Sequence, residues 1–300
     1  MEIMQKIAFI GLGIMGKPMA KNLLKNGYAL QVFDIVKTAV EELQSAGASG
    51  CASIPEAVAG ADVVITMLPN SPQVTEVILG EQGVLSAAAH GTVILDTSSI
   101  APKTSQTVAA ACAEKNVYYL DCPVSGGEPK AIDGTLAMMC GGDASVFEAI
   151  KPILLAMASS AVLVGGVGSG NVTKLANQIM VAVNIAGMSE ALALATKAGV
   201  DPKRVYEAVR GGLAGSTVLD AKAPMVMSRN FKPGFRIDLH IKDLKNVMDT
   251  AHEVDAPSPL SAAILEMMYA LKADGHEKCD HDALALYYEK LSNIEIRPQD

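Results

Sequence analysis

The amino-acid sequence predicts an α/β protein in which a doubly wound, largely parallel sheet domain is followed by an all-α domain. Three observations support this prediction. Short apolar runs alternate with helix-like stretches through about residue 166, a glycine-rich turn follows the first run, and only helix-like segments come afterwards. Such alternation is typical of βαβ units on a parallel sheet. We therefore expect a sheet domain over residues 1–166 and a helical domain over residues 167–300.

The predicted strands of the first domain are its short apolar runs. They cover residues 6–11, 29–34, 62–68, 92–96, 117–121, 136–140 and 161–164. One helix start is also clear, because Ser53 and Glu56 have capping-box spacing and Pro55 stands in the first turn, where its missing N–H costs nothing. The second domain is predicted to contain helices over residues 171–198, 201–210, 240–255, 258–273 and 282–291.

Charge and hydropathy exclude two classes of partner. The chain carries 24 basic and 32 acidic residues without a basic block, which argues against a nucleic-acid partner. The apolar segment over residues 7–15 includes part of a glycine-rich turn and leads into no small-residue cleavage site, so it is better explained as a strand and turn than as a signal peptide. No continuous apolar run is long enough to span a membrane. We expect a cytoplasmic protein with no nucleic-acid and no membrane partner.

Cysteine and histidine usage indicates no metal site. The 5 cysteines are widely spaced and include no CxxC pair, so neither a disulfide framework nor a zinc site is expected. The histidines and aspartates of residues 276–282 lack the spacing of metal ligands. We expect a solvated loop and a helix start there.

The motif GLGIMG joins the first predicted strand to a helix-like stretch. Glycine in this motif permits a tight turn, a close approach of the backbone to a pyrophosphate, and close packing of helix against strand. The N-terminus of the next helix adds N–H groups and a positive dipole end for phosphates. The motif therefore predicts a dinucleotide cradle of the Rossmann type, formed by Gly11, Leu12, Gly13, Ile14, Met15 and Gly16.

Asp34 ends the second predicted strand and determines which cofactor is expected. A carboxylate at this point can accept hydrogen bonds from the adenosine ribose hydroxyls, and it repels a 2′-phosphate. A site for NADP would favour an arginine beside it, whereas this chain has Ile35 and Val36 there, with only Lys37 nearby. We expect NAD as the cofactor, with NADP as the open alternative.

The motif DCPVSGG follows a predicted strand and contains candidate substrate-binding residues. Ligands of open α/β sheets bind outside the carboxyl ends of the strands. The hydroxyl of Ser125 and the consecutive N–H groups of Gly126 and Gly127 can form an anion-binding concavity for a carboxylate. An ordinary strand-to-helix turn is the alternative.

Lys174 is the candidate catalytic residue, one turn into the long predicted helix. Asn177, Gln178 and Asn184 follow at helical spacing in an otherwise apolar segment. Polar side chains on such a face need partners or a wet cleft. Ligand sites often lie at domain junctions, which favours a catalytic role over a helix that only lines a water pocket.

Four motifs in this order, FIGLGIMGKPMAKNLL, DCPVSGGEPKAIDGTL, GNVTKLANQ and FKPGFRIDLHIKDL, resemble those of the β-hydroxyacid dehydrogenase family. The resemblance covers essentially the whole chain. It implies a nicotinamide-dependent oxidoreductase that interconverts a small carboxylate-bearing aldehyde and its hydroxy acid. It also implies that the helical domain forms a homodimer or homotetramer.

The same resemblance implies roles for individual residues. Lys174 would be the acid/base catalyst. Besides the cradle and Asp34, the residues expected at the cofactor are Leu68, Pro69, Ser99 and Lys242; those expected at the substrate are Ser125, Gly126, Gly127, Asn177, Gln178, Phe235 and Asp243. Many relatives place asparagine four residues after the lysine, whereas this chain has Gln178 there with Asn177 before it. Which amide holds the substrate is therefore open.

Two alternatives to this function remain at this point. A family member that acts on 3-hydroxyisobutyrate or succinic semialdehyde would carry the same motifs and would differ only in the lining of its pocket. A nucleotide-binding sensor would keep the cradle without the chemistry, and the presence of Lys174 argues against it.

Overall fold

The structure is a computed structural model that describes residues 6–299. The chain forms two compact units, which divide after Lys174. The first unit contains the sheet and the second is helical, so the predicted fold class is confirmed. The domain boundary predicted between residues 166 and 167 lies just before the long helix and remains a prediction.

Within residues 6–299, nine strands form one sheet. The strands are β1 (Lys6–Ile10), β2 (Ala29–Phe33), β3 (Ser49–Gly50), β4 (Val63–Thr66), β5 (Val93–Asp96), β6 (Tyr118–Asp121), β7 (Val124–Ser125), β8 (Leu136–Gly141) and β9 (Ala158–Gly165). The parallel part has the order β3-β2-β1-β4-β5-β6. β8 is antiparallel to β6 and β7 and parallel to β9. This order places the carboxyl ends of β1, β4, β5 and β6 at one edge.

All the predicted strands are present, with small shifts at their ends. β9 begins at Ala158 rather than at residue 161. The sequence did not predict β3 and β7, because a strand of two residues has no hydrophobic periodicity.

The helices of the sheet unit cover both faces of the sheet. They are α1 (Gly16–Lys25), α2 (Lys37–Ser45), α3 (Ile54–Val58), α4 (Ser71–Leu79), α5 (Pro102–Glu114), α6 (Gly127–Asp133) and α7 (Ala144–Leu155). Side chains alternate along a strand, so Phe9 of β1 joins the core under α1, α2, α6 and α7, and Ile10 joins the core under α3, α4 and α5. The sheet is therefore doubly wound.

The predicted capping box starts α3 in a modified form. The N–H of Glu56 donates to Ser53 Oγ at 3.3 Å, as the spacing predicts. The Glu56 carboxylate, however, accepts from the N–H of Ala52 at 2.7 Å, one residue before the cap position. Both groups stabilise the first turn of this short helix.

The helical unit has a core of its own. Its helices are α8 (Ser169–Lys197, which begins in the sheet unit), α9 (Pro202–Val209), α10 (Thr217–Met227), α11 (Ile237–Glu253), α12 (Pro259–Ala273) and α13 (Leu284–Ser292). The sequence did not predict α10, which contains Pro224. An internal proline removes a helical hydrogen bond and normally indicates a helix boundary.

Helix α8 has the length and composition of a membrane-spanning helix. Its most apolar window of 18 residues has a mean hydropathy of 1.6, and 39% of that window is buried inside the protein. The core helix of a water-soluble protein passes the same test, so a single helix of this kind is weak support for a membrane segment.

Residues 280–282 differ from the solvated loop that the sequence predicts. Asp280, His281 and Asp282 are all buried, and residues 281–283 form a 3-10 turn. Asp280 accepts from Lys222 Nζ at 2.7 Å and from the N–H of Gly234 at 2.8 Å. Lys222 belongs to α10, so its ion pair with Asp280 could not be found from local spacing.

Asp282 should make stability depend on pH. Its carboxylate is buried, and burial raises its pKa to about 8, with the charge of Asp280 as the next cause. An unfolded aspartate titrates near pH 4. The folded protein therefore favours the protonated form of Asp282. This contribution to the free energy of unfolding is fully present below about pH 4 and is lost as the pH rises through about 8.

We expect Asp282→Asn, which cannot ionise, to gain stability relative to the wild type by about 1.4 kcal/mol per pH unit between about pH 5 and pH 8. Urea unfolding across this range measures the gain. Asp274→Asn, at an exposed site, is the matched control and should not reproduce it. Parallel pH curves for wild type and Asp282→Asn would contradict the prediction.

Candidate active site

The glycine-rich turn between β1 and α1 contains three glycines of two types. At two of them a side chain would collide with neighbouring atoms, and at the third it would point into open space. Gly11 has φ of 95°, and a Cβ there would meet the carbonyl oxygen of Met67. A Cβ on Gly16 would meet the carbonyl oxygen of Gly11 and, at 3.2 Å, the ring of Phe9. A Cβ on Gly13 would have nothing within 4 Å. Gly13 is therefore where a ligand can approach the backbone closely.

Asp34 lies directly beside this turn. Its Oδ2 accepts from the N–H of Leu12 at 2.6 Å, and its Oδ1 accepts from the N–H of Val36 at 2.7 Å. Two backbone donors thus fix the orientation of the carboxylate. Each carboxylate oxygen can accept a second hydrogen bond, so Asp34 can still bind the hydroxyls of a ribose.

A cavity of about 740 Å³ adjoins the turn and Asp34. Its lining residues are Leu12, Gly13, Ile14, Lys17, Pro18, Lys21, Asp34, Val36, Thr38, Ala39, Glu42, Glu128 and Ile132. Met15 precedes α1 and packs against the core. The open Gly13, the fixed carboxylate and the size of the cavity fit the adenosine half of a nicotinamide dinucleotide.

The segments after β4 and β5 lie at the same edge of the sheet as the turn. The N–H of Leu68 donates to Ser98 Oγ at 2.8 Å, which links the two segments. Pro69 is exposed and Ser99 is half-buried. The sequence prediction included Ser99 and missed the buried Ser98, which holds the backbone of Leu68 in place.

The DCPVSGG segment forms the end of β6, strand β7 and the start of α6. Ser125 pairs with Ala137 of β8. Gly126 and Gly127 have φ of 141° and 69°, and a Cβ on Gly126 would lie 2.7 Å from the Lys130 side chain. The segment needs glycine at both positions for its backbone conformation. Its role in binding a substrate carboxylate remains a prediction.

Asp121, at the end of β6, holds the N-terminus of α8. Its Oδ1 accepts from the N–H of Gly168 and its Oδ2 from the N–H of Asn171, both at 2.7 Å. Burial raises the pKa of Asp121 to about 7, and the two backbone donors act in the opposite direction. The sequence analysis did not select Asp121 as a site residue. Its one local signal is its place at the start of the DCPVSGG motif, and its contacts are with residues far along the chain.

Asn171 adds a second attachment of α8 to the sheet unit. Its Oδ1 accepts from the N–H of Ile100 at 3.0 Å, and its Nδ2 donates to Ser105 Oγ at 3.1 Å. Lys174 follows one turn later and is only 7% exposed. The lysine therefore lies in a turn of helix whose start is fixed to the carboxyl end of β6.

The helical unit brings several predicted residues together. Gln178 Nε2 donates to Asp243 Oδ2 at 2.6 Å, and Lys242 Nζ lies 2.8 Å from Asp243 Oδ1. Asn177 Nδ2 donates to Gln178 Oε1 at 2.9 Å. The two amides that the sequence left as alternatives are thus members of one hydrogen-bonded chain, with Gln178 in its centre.

Phe235 packs against a pair of histidines. Its ring centroid lies 5.7 Å from that of His240 and 5.4 Å from that of His281. The two Nδ1 atoms of the histidines are 3.0 Å apart, and His240 Nε2 is 3.3 Å from the carbonyl oxygen of Gln178. Sequence reasoning missed His240, although it lies within the FKPGFRIDLHIKDL motif.

Comparison with known families identifies the chain. A family model described as the NAD binding domain of 6-phosphogluconate dehydrogenase matches residues 6–166. A second one, described as the NAD-binding of NADP-dependent 3-hydroxyisobutyrate dehydrogenase, matches residues 168–288. The chain belongs to the 3-hydroxyisobutyrate dehydrogenase family. It is an NAD(P)-dependent β-hydroxyacid dehydrogenase, so the predicted family and cofactor class are confirmed.

Several proteins are similar to this dehydrogenase over almost their whole length. The 2-hydroxy-3-oxopropionate reductase of Escherichia coli is 43% identical over 97% of this chain and 99% of its own. The 3-hydroxyisobutyrate dehydrogenase of Pseudomonas aeruginosa is 38% identical over 95% and 99%. A solved structure of Mycobacterium tuberculosis 3-hydroxyisobutyrate dehydrogenase with L-serine has a TM-score of 0.88 at 34% identity, covering 94% of this chain and 98% of that one.

The two types of glycine in the cradle give a test of the dehydrogenase. Gly13→Ala should keep the melting temperature of the cofactor-free protein, because the added methyl meets no protein atom, and should weaken NADH binding. Gly16→Ala should lower the melting temperature, because its methyl meets the Gly11 carbonyl. Thermal unfolding and NADH fluorescence titration measure both effects. If Gly13→Ala and the wild type bind NADH with equal affinity, Gly13 does not lie at the cofactor.

Proposed function

We propose that this dehydrogenase reduces tartronate semialdehyde (2-hydroxy-3-oxopropanoate) to D-glycerate with NADH, and that Lys174 is the general acid/base. The observation that carries the catalytic part is the buried Lys174, one turn from the Asp121 contacts that fix α8. Similarity to the Escherichia coli reductase, at 43% identity, supports the choice of substrate. The fixed carboxylate of Asp34 supports NADH over NADPH.

A bound nicotinamide supplies the hydride for the reduction. In the proposed mechanism the ammonium of Lys174 donates a hydrogen bond to the aldehyde oxygen and gives up a proton as negative charge develops there. In the reverse direction, a neutral Lys174 accepts the hydroxyl proton. One side chain thus serves as oxyanion stabiliser and as acid/base.

The remaining predicted residues orient the substrate in this proposal. The hydroxyl of Ser125 and the N–H groups of Gly126 and Gly127 bind the carboxylate. Gln178 is held between Asn177 and Asp243, so its amide has a defined orientation and can position a polar group of the substrate. Orientation of this kind lowers the entropic part of the barrier.

A second candidate substrate is 3-hydroxyisobutyrate. The Mycobacterium tuberculosis structure, with a TM-score of 0.88, favours it. The two functions are distinguished by steady-state assays with a panel of three- and four-carbon semialdehydes and their hydroxy acids, each with NADH and NADPH. The highest kcat/KM for tartronate semialdehyde with NADH is the expected result. A higher value for the four-carbon branched substrate would assign the second function.

Lys174→Ala should lower kcat by about 100-fold or more, because general acid catalysis and charge stabilisation contribute factors of this size. NADH affinity should stay close to that of the wild type. Lys174→Arg should rescue little, since a guanidinium rarely gives up its proton. Lys197→Ala, at an exposed position of the same helix, is the matched control. If chemistry limits the rate and Lys174→Ala keeps more than about a tenth of kcat, the proposed role is wrong.

Gln178→Ala should lower kcat/KM with NADH affinity nearly unchanged, because it removes the centre of the hydrogen-bonded chain between Asn177 and Asp243. Asn177→Ala leaves the contact of Gln178 with Asp243 and should have the smaller effect. Asn184→Ala is the control, since Asn184 donates to the carbonyl of Met180 in its own helix. A larger loss for Asn177→Ala would assign the substrate contact to Asn177 instead.

A further inference from the structure

The cavity beside Asp34 contains two lysines that the cofactor prediction did not consider. Lys17 and Lys21 of α1 line its wall, whereas Lys37, the cation that the sequence suggested, is not among the lining residues. Both lysines contact one carboxylate. Glu42 of α2 accepts from Lys17 Nζ at 2.6 Å and from Lys21 Nζ at 2.5 Å.

Glu42 is ionised at neutral pH. Hydrogen bonds from Lys17 and then from Lys21 lower its pKa to about 2. The lysines and carboxylates that line the cavity are two lysines and three carboxylates, those of Asp34, Glu42 and Glu128. Without Glu42, the two lysines would face two carboxylates, so the positive and negative charges lining the cavity would be equal in number. Both ammonium groups would then be available to a ligand.

We infer that Glu42 is a second determinant of cofactor specificity, which keeps Lys17 and Lys21 from binding the 2′-phosphate of NADP(H). The inference rests on the cofactor site of the proposed function. A phosphate monoester carries a charge of about −1.5 to −2 at pH 7 and needs cationic donors. Lysine supplies such donors as a mobile point charge. In this protein both lysines that line the cavity are held by Glu42, while Asp34 repels the phosphate directly.

The two determinants act differently on the two cofactors. Asp34 gains hydrogen bonds from the ribose hydroxyls, so its removal should also weaken NADH binding. Glu42 is not expected to bind the ribose hydroxyls, so its removal should favour a ligand that carries the 2′-phosphate over one that does not. Exposed ion pairs contribute little to stability, and Glu42→Gln should therefore fold as the wild type does.

The test measures binding rather than turnover. ADP-ribose and 2′-phospho-ADP-ribose are titrated calorimetrically into wild type, Glu42→Gln and Glu41→Gln at low salt. Glu41 is exposed on the same helix and does not line the cavity, so it is a control of equal charge change. We expect Glu42→Gln to raise the affinity for the 2′-phosphorylated ligand roughly three- to tenfold more than it raises the affinity for ADP-ribose. The double variant Glu42→Gln/Lys21→Gln should lose part of this gain in affinity for 2′-phospho-ADP-ribose. High salt should abolish the gain in Glu42→Gln.

Three results would overturn the inference. An equal change in the affinity of Glu42→Gln for the two ligands would do so, and so would the same preference for 2′-phospho-ADP-ribose in Glu41→Gln. In both cases normal binding of ADP-ribose would leave the cofactor site itself in place. Failure of wild type to bind ADP-ribose would instead overturn the location of the cofactor site, and the inference with it.

Discussion

The contact between Asp121 and the start of α8 is the constraint on which the proposed catalytic arrangement depends. One carboxylate accepts two backbone N–H groups of a helix terminus, at 2.7 Å each. Two glycines make this approach possible: a Cβ on Gly141 would lie 2.6 Å from Asp121 Oδ1, and a Cβ on Gly170 would meet the Asp121 carbonyl oxygen. The position of Lys174 relative to the sheet edge follows from this packing.

Local patterns in the sequence were sufficient to predict much of the fold and part of the candidate site. The strands of the parallel sheet are buried on both faces, so each is a short continuous apolar run that is easy to recognise. The glycine motif and Asp34 belong to one βαβ unit with a well-known order of elements. Their predicted proximity appears in the structure as the hydrogen bond between Leu12 N–H and Asp34.

Features that depend on distant parts of the chain could not be predicted. The contacts of Asp121 join residues 47 and 50 positions apart, and the ion pair of Lys222 with Asp280 joins residues 58 positions apart. The same applies to Glu42, which meets Lys17 and Lys21 only because α1 and α2 lie side by side. A single sequence has no periodicity that reports such pairs, and one of them involves Asp280 of the buried residues 280–282.

The contact between His240 and His281 has a consequence for proton positions in the helical unit. A carbonyl oxygen can only accept, so His240 must carry a proton on Nε2 to bind Gln178. In the neutral pair, His240 Nδ1 then offers a lone pair, and His281 must donate from its own Nδ1. The direction of both hydrogen bonds is thereby fixed, and each ring is restricted to one tautomer. An additional proton can enter without breaking either bond only at His281 Nε2, which lies 3.8 Å from the Asp280 carboxylate.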